Sequence, residues 1–416
     1  MYNYDTQALA DNYRDVMWSS FGEVLRLSNT NQTDYDYIRK ILKRPNIKPC
    51  FRLFTLHNDE TVDYEIPQED IIIDSGNFSE NYQNGQRKTV NVNLVNEDGK
   101  YNPNINSIWI NNKFRLDVGI SFESYSCWFA RGIYILGNPT SSHQDSDKQV
   151  SLTLVDKFAM FEGKMGTLET TYEIPVGSNI KDSIKSILLL DNGAGYPLDS
   201  KPIIFDSFDI STMPYTLSKD AGSTLGEILL ELGTILNAEV YYNSQGNLCF
   251  YNINETTNDD MKSSLYAYDE NEREYFGANT QYDFENAINE VHVVGDNVNN
   301  DIFSAISKNT NPASPLCIGL IGRRVLYIND SNIYNDSLAQ QRANYELRRQ
   351  GLLKVSMTIE VAFNPLLFVN NIITITDSHY DLERARFLIQ SISYSIGSQS
   401  KMTITCSNLD NLESFK

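Results

Sequence analysis

The sequence predicts a mostly-β chain of the α+β class, with two antiparallel, barrel-like β modules flanking an α/β insert and a helical arm at the N-terminus. Three observations carry that expectation. Residues 353–363 read Leu-Lys-Val-Ser-Met-Thr-Ile-Glu-Val-Ala-Phe, placing Leu353, Val355, Met357, Ile359, Val361 and Phe363 on one side of a period-2 pattern. Successive strand side chains point to opposite faces, so this is a long strand with one buried and one wet face, as antiparallel sheets have. Between about residues 164 and 254 the apolar period switches to that of helices. Finally, 416 residues with 41% hydrophobic content exceed what one core usually serves, so about two to four domains are expected.

Residues 1–48 read as a helical arm. Trp18, Phe21, Val24, Leu25 and Leu27 make one uneven apolar stripe, and Tyr37, Ile38, Ile41 and Leu42 another. Pro45 and Pro49 stop any helix there. Residues 49–163 form the first β module. Thr89 to Val95 alternates and is followed by Glu97-Asp98-Gly99, a hairpin signal. Phe114, Leu116, Val118, Ile120 and Phe122 share one face of a strand. Two more strands, Phe129 to Leu136 and Val150 to Val155, are joined by the polar loop Asn138 to Gln149. Five or more short antiparallel strands make a small barrel or a sandwich.

Residues 164–255 form the α/β insert. Ser178 is placed to cap a helix carrying Ile180, Ile184, Ile187 and Leu188, which Asp191-Asn192-Gly193 ends. Thr224-Leu225-Gly226-Glu227 is a capping box, and Leu225, Ile228, Leu229, Leu232, Ile235 and Leu236 make one stripe after it. Ala238 to Tyr242 then turns through Asn243-Ser244-Gln245-Gly246 into Leu248 to Tyr251. Residues 256–416 form the second β module. It opens with a polar linker or long loop at 256–276 and a strand from Ala287 to Val294. An Asn-, Ser- and Pro-rich loop from Asn297 to Pro315 follows. A helix over 336–350, capped by Asp336 or Ser337, leads into a meander of residues 353–363, Ile372 to Thr376, Phe387 to Ile396 and Lys401 to Ser407.

Charge and residue usage exclude several function classes. A net charge of −20 is wrong for gripping phosphates, which takes clustered Lys and Arg. The short basic runs, Arg39-Lys40 with Lys43-Arg44, Arg323-Arg324 and Arg348-Arg349, read as solvated charges or partners in salt bridges. Cys50, Cys127, Cys249, Cys317 and Cys406 are scattered, with no C-x-x-C pair, which speaks against zinc and fits a reducing site of folding. Cys249 and Cys406 fall inside apolar strand patterns, as small buried hydrophobes do. No segment approaches the ~18–20 apolar residues of a membrane span, and Met1 to Asp5 does not open a signal peptide.

No catalytic, cofactor or metal residue is assigned. His57, His143, His292 and His379 show no ligand spacing. The acidic residues are too many for any pair to stand out as glycosidase carboxylates. Asp145-Ser146-Asp147 and Asn299-Asn300-Asp301 lack EF-hand spacing and read as solvated loops. Gly193-Ala194-Gly195 follows a helix, whereas a phosphate cradle opens one, so it reads as a helix stop.

Two stretches carry a resemblance. Ser223 to Leu232, running on to Ala238 to Leu248, is similar to the insert of the bacteriophage tail and baseplate hub proteins, related to the hubs of contractile injection systems. Ala339 to Leu352, the 353–363 strand, the Val369-Asn370-Asn371-Ile372 bend and Phe387 to Ile396 resemble the closing helix and strands of the second hub barrel. The resemblance covers roughly the last two-thirds of the chain. It implies a structural virion protein, made in a bacterial cytoplasm and located in the tail. A homotrimeric ring would adapt a sixfold tail tube or distal tail protein to a threefold tip, spike or fibre. DNA would pass without specific binding through a lumen that acidic residues keep from sticking. The wet face of the 353–363 strand is one candidate contact. With no coiled-coil heptads, trimerisation is expected to use apolar and sheet-edge contacts. The rival readings are a receptor-recognition or carbohydrate-binding virion protein and a cell-wall hydrolase.

Overall fold

The computed structural model describes residues 17–19, 42–43, 47–104, 108–110, 112–122, 125–144, 147–252, 264–282, 284–296, 302–330, 333, 335–350, 355–397 and 401–409. The first β region contributes nine strands. They are β1 (Met17–Ser19), β2 (Lys48–Leu56), β3 (Val62–Glu65), β4 (Gly76–Asn81), β5 (Lys88–Val95), β6 (Lys113–Phe122), β7 (Tyr125–Leu136), β8 (Thr140–Gln144) and β9 (Asp147–Asp156). The first insert follows, with β10 (Tyr172–Ile174), helix α1 (Ile180–Leu188), β11 (Ile204–Phe205), β12 (Leu217–Lys219), helix α2 (Leu225–Leu236), β13 (Ala238–Tyr242) and β14 (Leu248–Asn252). Strands β15 (Tyr266–Asp269) and β16 (Tyr275–Tyr282) return to the body. A second insert carries β17 (Glu290–Asp296), β18 (Ile302–Lys308), the short helix α3 (Ile318–Ile321), β19 (Val325–Asn329) and helix α4 (Asp336–Gln350). The chain closes with β20 (Val355–Ala362), β21 (Ile372–Asp377), β22 (Leu382–Ile396) and β23 (Lys401–Asn408).

The mostly-β expectation holds, but the two β regions are not closed barrels. Their strands share one 15-stranded sheet whose main path runs β16-β20-β23-β22-β4-β5-β9-β7-β6-β2-β3. The reason is the length of β22. Its 15 residues span about 50 Å at ~3.3 Å per residue, far more than one neighbour covers. Leu382 to Leu388 pair with β21, and Ser391 to Ile396 continue onto β4 of the first region. A strand that serves both regions leaves neither free to close on itself.

Packing follows the same stitch. Tyr394 of β22 stacks on Phe78 of β4, with ring centroids 4.7 Å apart, and lies edge-on to Phe363 at 5.0 Å. Phe51 of β2 packs on Phe363 at 5.9 Å. Arg131 of β7 is fully buried. Its Nη1 and Nη2 donate to the Leu367 and Pro365 carbonyls at 2.7 and 3.0 Å, and its guanidinium lies 4.1 Å from the Phe368 ring centre. Hydrogen bonding to carbonyls makes so deep a cation tolerable. One apolar core therefore runs from Leu42 to Cys406.

Several local expectations change. Trp18 is not on a helix: Met17–Ser19 runs antiparallel to β7, with Trp18 opposite Trp128. The pairing covers an open strand edge, which outweighs a weak helical stripe. The rest of the expected arm up to Ile41 lies outside the described residues. Glu97-Asp98-Gly99 does not join neighbouring strands, since β5 pairs with β4 and β9. Instead Asn96 Oδ1 accepts from Tyr101 N–H at 2.8 Å and organises a loop. The polar stretches 138–149, 256–276 and 297–315 each hide a strand: β8, β15 and β18. Their backbones complete ladders with β9, β21 and β17, a gain that side-chain polarity does not advertise.

Both inserts have cores of their own. In the first, α1 is capped by Asn179, one residue after Ser178. Its Oδ1 accepts from Asp182 N–H at 3.1 Å, while the Ser178 carbonyl is taken by Met213 N–H. Helix α2 is capped by Thr224, whose Oγ1 accepts from Glu227 N–H at 3.2 Å. Asn237 in the left-handed region ends it. The stripe Ile228, Leu229, Leu232 and Ile235 packs on α1 and on the β13–β14 hairpin. In the second insert, α4 lays Ala339, Ala343 and Leu347 on Val291, Val293 and Ala305.

Candidate functional site

The histidines are dispersed. His57 Nε2 lies 3.6 Å from Asp63 Oδ1, with both side chains exposed. His143 is exposed on β8. His379 packs edge-on to Tyr380, and His292 meets Glu290 at 2.6 Å. Among the described residues no group of three His, Cys, Asp or Glu is placed to hold a metal ion, and no helix is long and apolar enough to cross a membrane. Asp145, Ser146 and 299–301 lie outside the described residues. Gly193 and Gly195 turn their N–H groups onto Asp191 Oδ1 at 2.8 and 2.9 Å, so the chain's own carboxylate fills that nest. Cys249 and Cys406 are buried thiols. Burial pushes the Cys249 thiol up to about 12.

Three charged clusters stand out that the sequence did not assign. The first joins the first insert to the body. Lys157, fully buried, reaches Glu60 Oε1 at 2.6 Å, Asp199 Oδ2 at 2.9 Å and the Gly246 carbonyl at 2.9 Å. Lys113 and Lys201 complete the shell around Glu60 at 2.8 and 2.9 Å, and Tyr242 donates to Asp199 at 2.7 Å. Glu60 sits on the β2–β3 turn with a φ of 66°, an uncommon conformation for a non-glycine residue. Burial works to raise its pKa, and Lys157 and Lys113 outweigh it, holding the carboxyl at about 2.

The second lines a cleft of about 590 Å³ formed by Leu42, Lys43, Ile47, Glu272, Glu274, Phe276 and Phe363, among others. Lys43 Nζ meets both Glu272 oxygens at 2.7 and 2.8 Å. Tyr266 donates to Glu274 Oε2 at 2.8 Å. Burial, with Glu272 beside it, pushes Glu274 up to about 7. One carboxyl poised near neutrality is half of an acid–base pair. The geometry supplies a clasp between Lys43 and the β15–β16 turn, with no nucleophile beside it among the described lining residues.

The third decorates the bare face of the second insert. Register places Glu290, His292 and Val294 of β17 beside Lys308, Ile306 and Ser304 of β18, and beside Val325, Tyr327 and Asn329 of β19. Helix α4 covers the opposite face. Arg323 holds Glu290 through Nε and Nη2 at 2.7 and 2.8 Å, and Lys308 stands 3.4 Å away. The Arg323 hydrogen bonds, then that of His292, hold Glu290 at about 2. Ile306, Val325 and Tyr327 stand 48%, 47% and 62% exposed. The alternation Glu290-x-His292 and the pair Arg323-Arg324 were the visible traces of this cluster. Nothing local showed that they share one face. Lys43 and Arg323 are both in salt bridges, as the basic runs were read. Arg39, Lys40 and Arg44 lie outside the described residues.

Solved structures share this architecture. A tail protein from Neisseria meningitidis MC58 superposes with a TM-score of 0.58 at 11% identity, covering 86% of this chain and 96% of its own. The 43 kDa tail protein of prophage MuSo2 from Shewanella oneidensis gives 0.57 at 12% identity, over 87% and 99%. The chain has the fold of a phage tail protein. A prophage tail protein from Listeria monocytogenes EGD-e agrees, with a TM-score of 0.52 at 10% identity, over 88% and 99%. The resemblance seen at residues 223–248 and at the chain's end thus holds for the tail-protein fold as a whole. Residues 315–412 also match a family described as a domain of unknown function (DUF5048). No curated protein matches the chain. A likeness at 10–12% identity shows the fold alone, so function has to be argued from this chain's own surfaces.

Proposed function

We propose that the chain is a structural, non-enzymatic hub protein of a phage tail or baseplate, working as a homotrimeric ring in the virion after synthesis in the bacterial cytoplasm. Above it the ring meets the sixfold tail tube or a distal tail protein; below it, a threefold tip, spike or fibre. DNA passes through its lumen. The observation that carries the reading is the tail-protein fold over 86–88% of this chain and 96% or more of each of the three tail proteins above. The shared sheet supports it. Two β regions locked into one continuous body by β22 make a rigid wall segment, as a ring transmitting contraction or holding a channel requires. The charge of −20 suits a lumen that must not hold DNA, because like charge repels the phosphate backbone.

The domain layout that goes with the reading is an arm over 1–48, a first hub module over 49–163, the insert over 164–255 and a second hub module over 256–416. Light scattering of the purified native chain across concentration tests the proposal, with negative-stain imaging beside it. A mass of three chains with ring-shaped particles is the expected result. A monomer at every concentration, with activity in glycan-binding or cell-wall hydrolysis assays, would replace it.

A further inference from the structure

Among the described residues, β19 and β3 each end a sheet; Lys308 and Arg323 lie near the first, and the second carries Asp63 and Glu65, which stand 3.6 and 3.3 Å from His57 and Arg52. Strand β19 ends its three-stranded sheet, whose order is β18-β17-β19. Its outward Val325 and Tyr327 share a face with Arg323 and, across β17, with Lys308, cations that both meet the carboxylate of Glu290. Strand β3 ends the path of the large sheet. All four of its residues are exposed, with Val62 and Tyr64 at 44% and 40% alternating with Asp63 and Glu65. An unpaired strand edge is a template for another strand.

From this juxtaposition we infer that a second copy of this chain docks its β3 edge against β19 and the cationic face around Tyr327, giving a head-to-tail contact between neighbouring copies. Charge decides the occupant. Copies with a net charge of −20 repel one another over most orientations, so they can meet closely only where one offers cations to the other's carboxylates. The face around Arg323 does this and is apolar at its centre, with tyrosine and arginine, two residue types enriched where interfaces concentrate their energy. The contact joins two different patches, so it is heterologous and propagates until a rotation closes it into a ring. The inference rests on the ring reading above and names the surfaces that would build it.

The test uses two full-length variants, Tyr327→Glu on the face and Tyr64→Glu on the edge, with mass measured by sedimentation velocity across protein concentration. Tyr327 is 62% and Tyr64 40% exposed, so both variants should fold, which circular dichroism and a cooperative thermal transition would confirm. Each variant alone should dissociate at least tenfold more readily than the wild type. Mixed one to one, they should form a species of two chains and nothing larger, because the intact face of one meets the intact edge of the other and the remaining surfaces are blocked. Raising salt should weaken the wild-type assembly. A wild-type assembly that both variants reproduce would overturn these surfaces and leave the ring reading standing. A wild type monomeric at all concentrations would overturn both. Variants that stay monomeric when mixed would show that face and edge do not meet, and would overturn the pairing.

Discussion

The two α/β inserts leave the same body and bury themselves differently. The first, between β9 and β15, wraps its strands and two helices around a core that includes Ile184, Ile228, Leu232, Val240 and Phe250. A dry ionic cluster centred on Lys157 fixes it to the β2–β3 turn. The second, between the paired strands β16 and β20, has a helix on one face of its sheet only. Its core is small, its contacts with α4 run through Ala339, Ala343 and Leu347, and on the other face the buried carboxylate of Glu290 is ringed by the partly exposed Lys308 and Arg323. The first insert is built to be fixed; the second presents a surface. Charge has opposite consequences in the two. Buried, it holds two parts of one chain in register at the risk of a large penalty if one partner is lost. Exposed, it adds little to stability and remains free for a partner.

The largest test of this contrast is Lys157→Ala. Removing the ammonium leaves Glu60 and Asp199 buried against each other, and a loss of about 3–5 kcal/mol is expected for a broken buried pair, read by denaturant unfolding. A loss below ~1 kcal/mol would mean the junction is wet and the contrast false. The next test is pH. Glu60 is held at about 2, below its ordinary 4.5, so its contribution is full above pH 4.5 and is lost as pH falls through 2. Acid unfolding should steepen across that window, and Glu60→Gln should flatten it.

Packing gives a smaller effect. Gly233 sits where α2 crosses β13, and a Cβ there would lie 2.3 Å from Val240 Cγ2. Alanine favours helix by ~1 kcal/mol over glycine, yet Gly233→Ala should destabilise by about 1–3 kcal/mol through overpacking, seen as a lowered melting temperature. The smallest effect belongs to the second insert. Arg323 is 59% exposed in its side chain, and its truncation to alanine leaves Glu290 with His292 and Lys308, so the melting temperature should fall less than in the variants above, and less again in high salt. A larger, salt-independent loss would place the Glu290 cluster with the Lys157 cluster and remove the distinction.

Legibility followed sequence distance. The α2 stripe, its Thr224 cap, the β13–β14 hairpin, the helix Asp336–Gln350 and the alternation of Met357, Ile359 and Val361 all show in the sequence, because each is set by neighbours within a few turns or residues. Ser178 was displaced as a cap by Asn179 for want of knowing that Met213 would claim its carbonyl. The charged clusters were illegible for a stronger reason. Glu60, Lys113, Lys157 and the pair Asp199 and Lys201 come from four separate places in the chain, and each by itself looks like an ordinary surface charge.

Local sequence sets the helices Ile180–Leu188, Leu225–Leu236 and Asp336–Gln350, most of the strands, the acid balance of the chain, and the resemblance that the tail-protein fold bore out. Side-chain period, caps and turn residues act over short range and are written locally. Tertiary structure decided that β22 crosses from one β region to the other, that Met17–Ser19 is a strand, and that polar runs such as 302–308 complete sheets. It also decided which charges are buried and which are exposed. Those outcomes depend on backbone hydrogen bonds and on the water removed when distant segments meet, and neither quantity belongs to any one stretch of sequence.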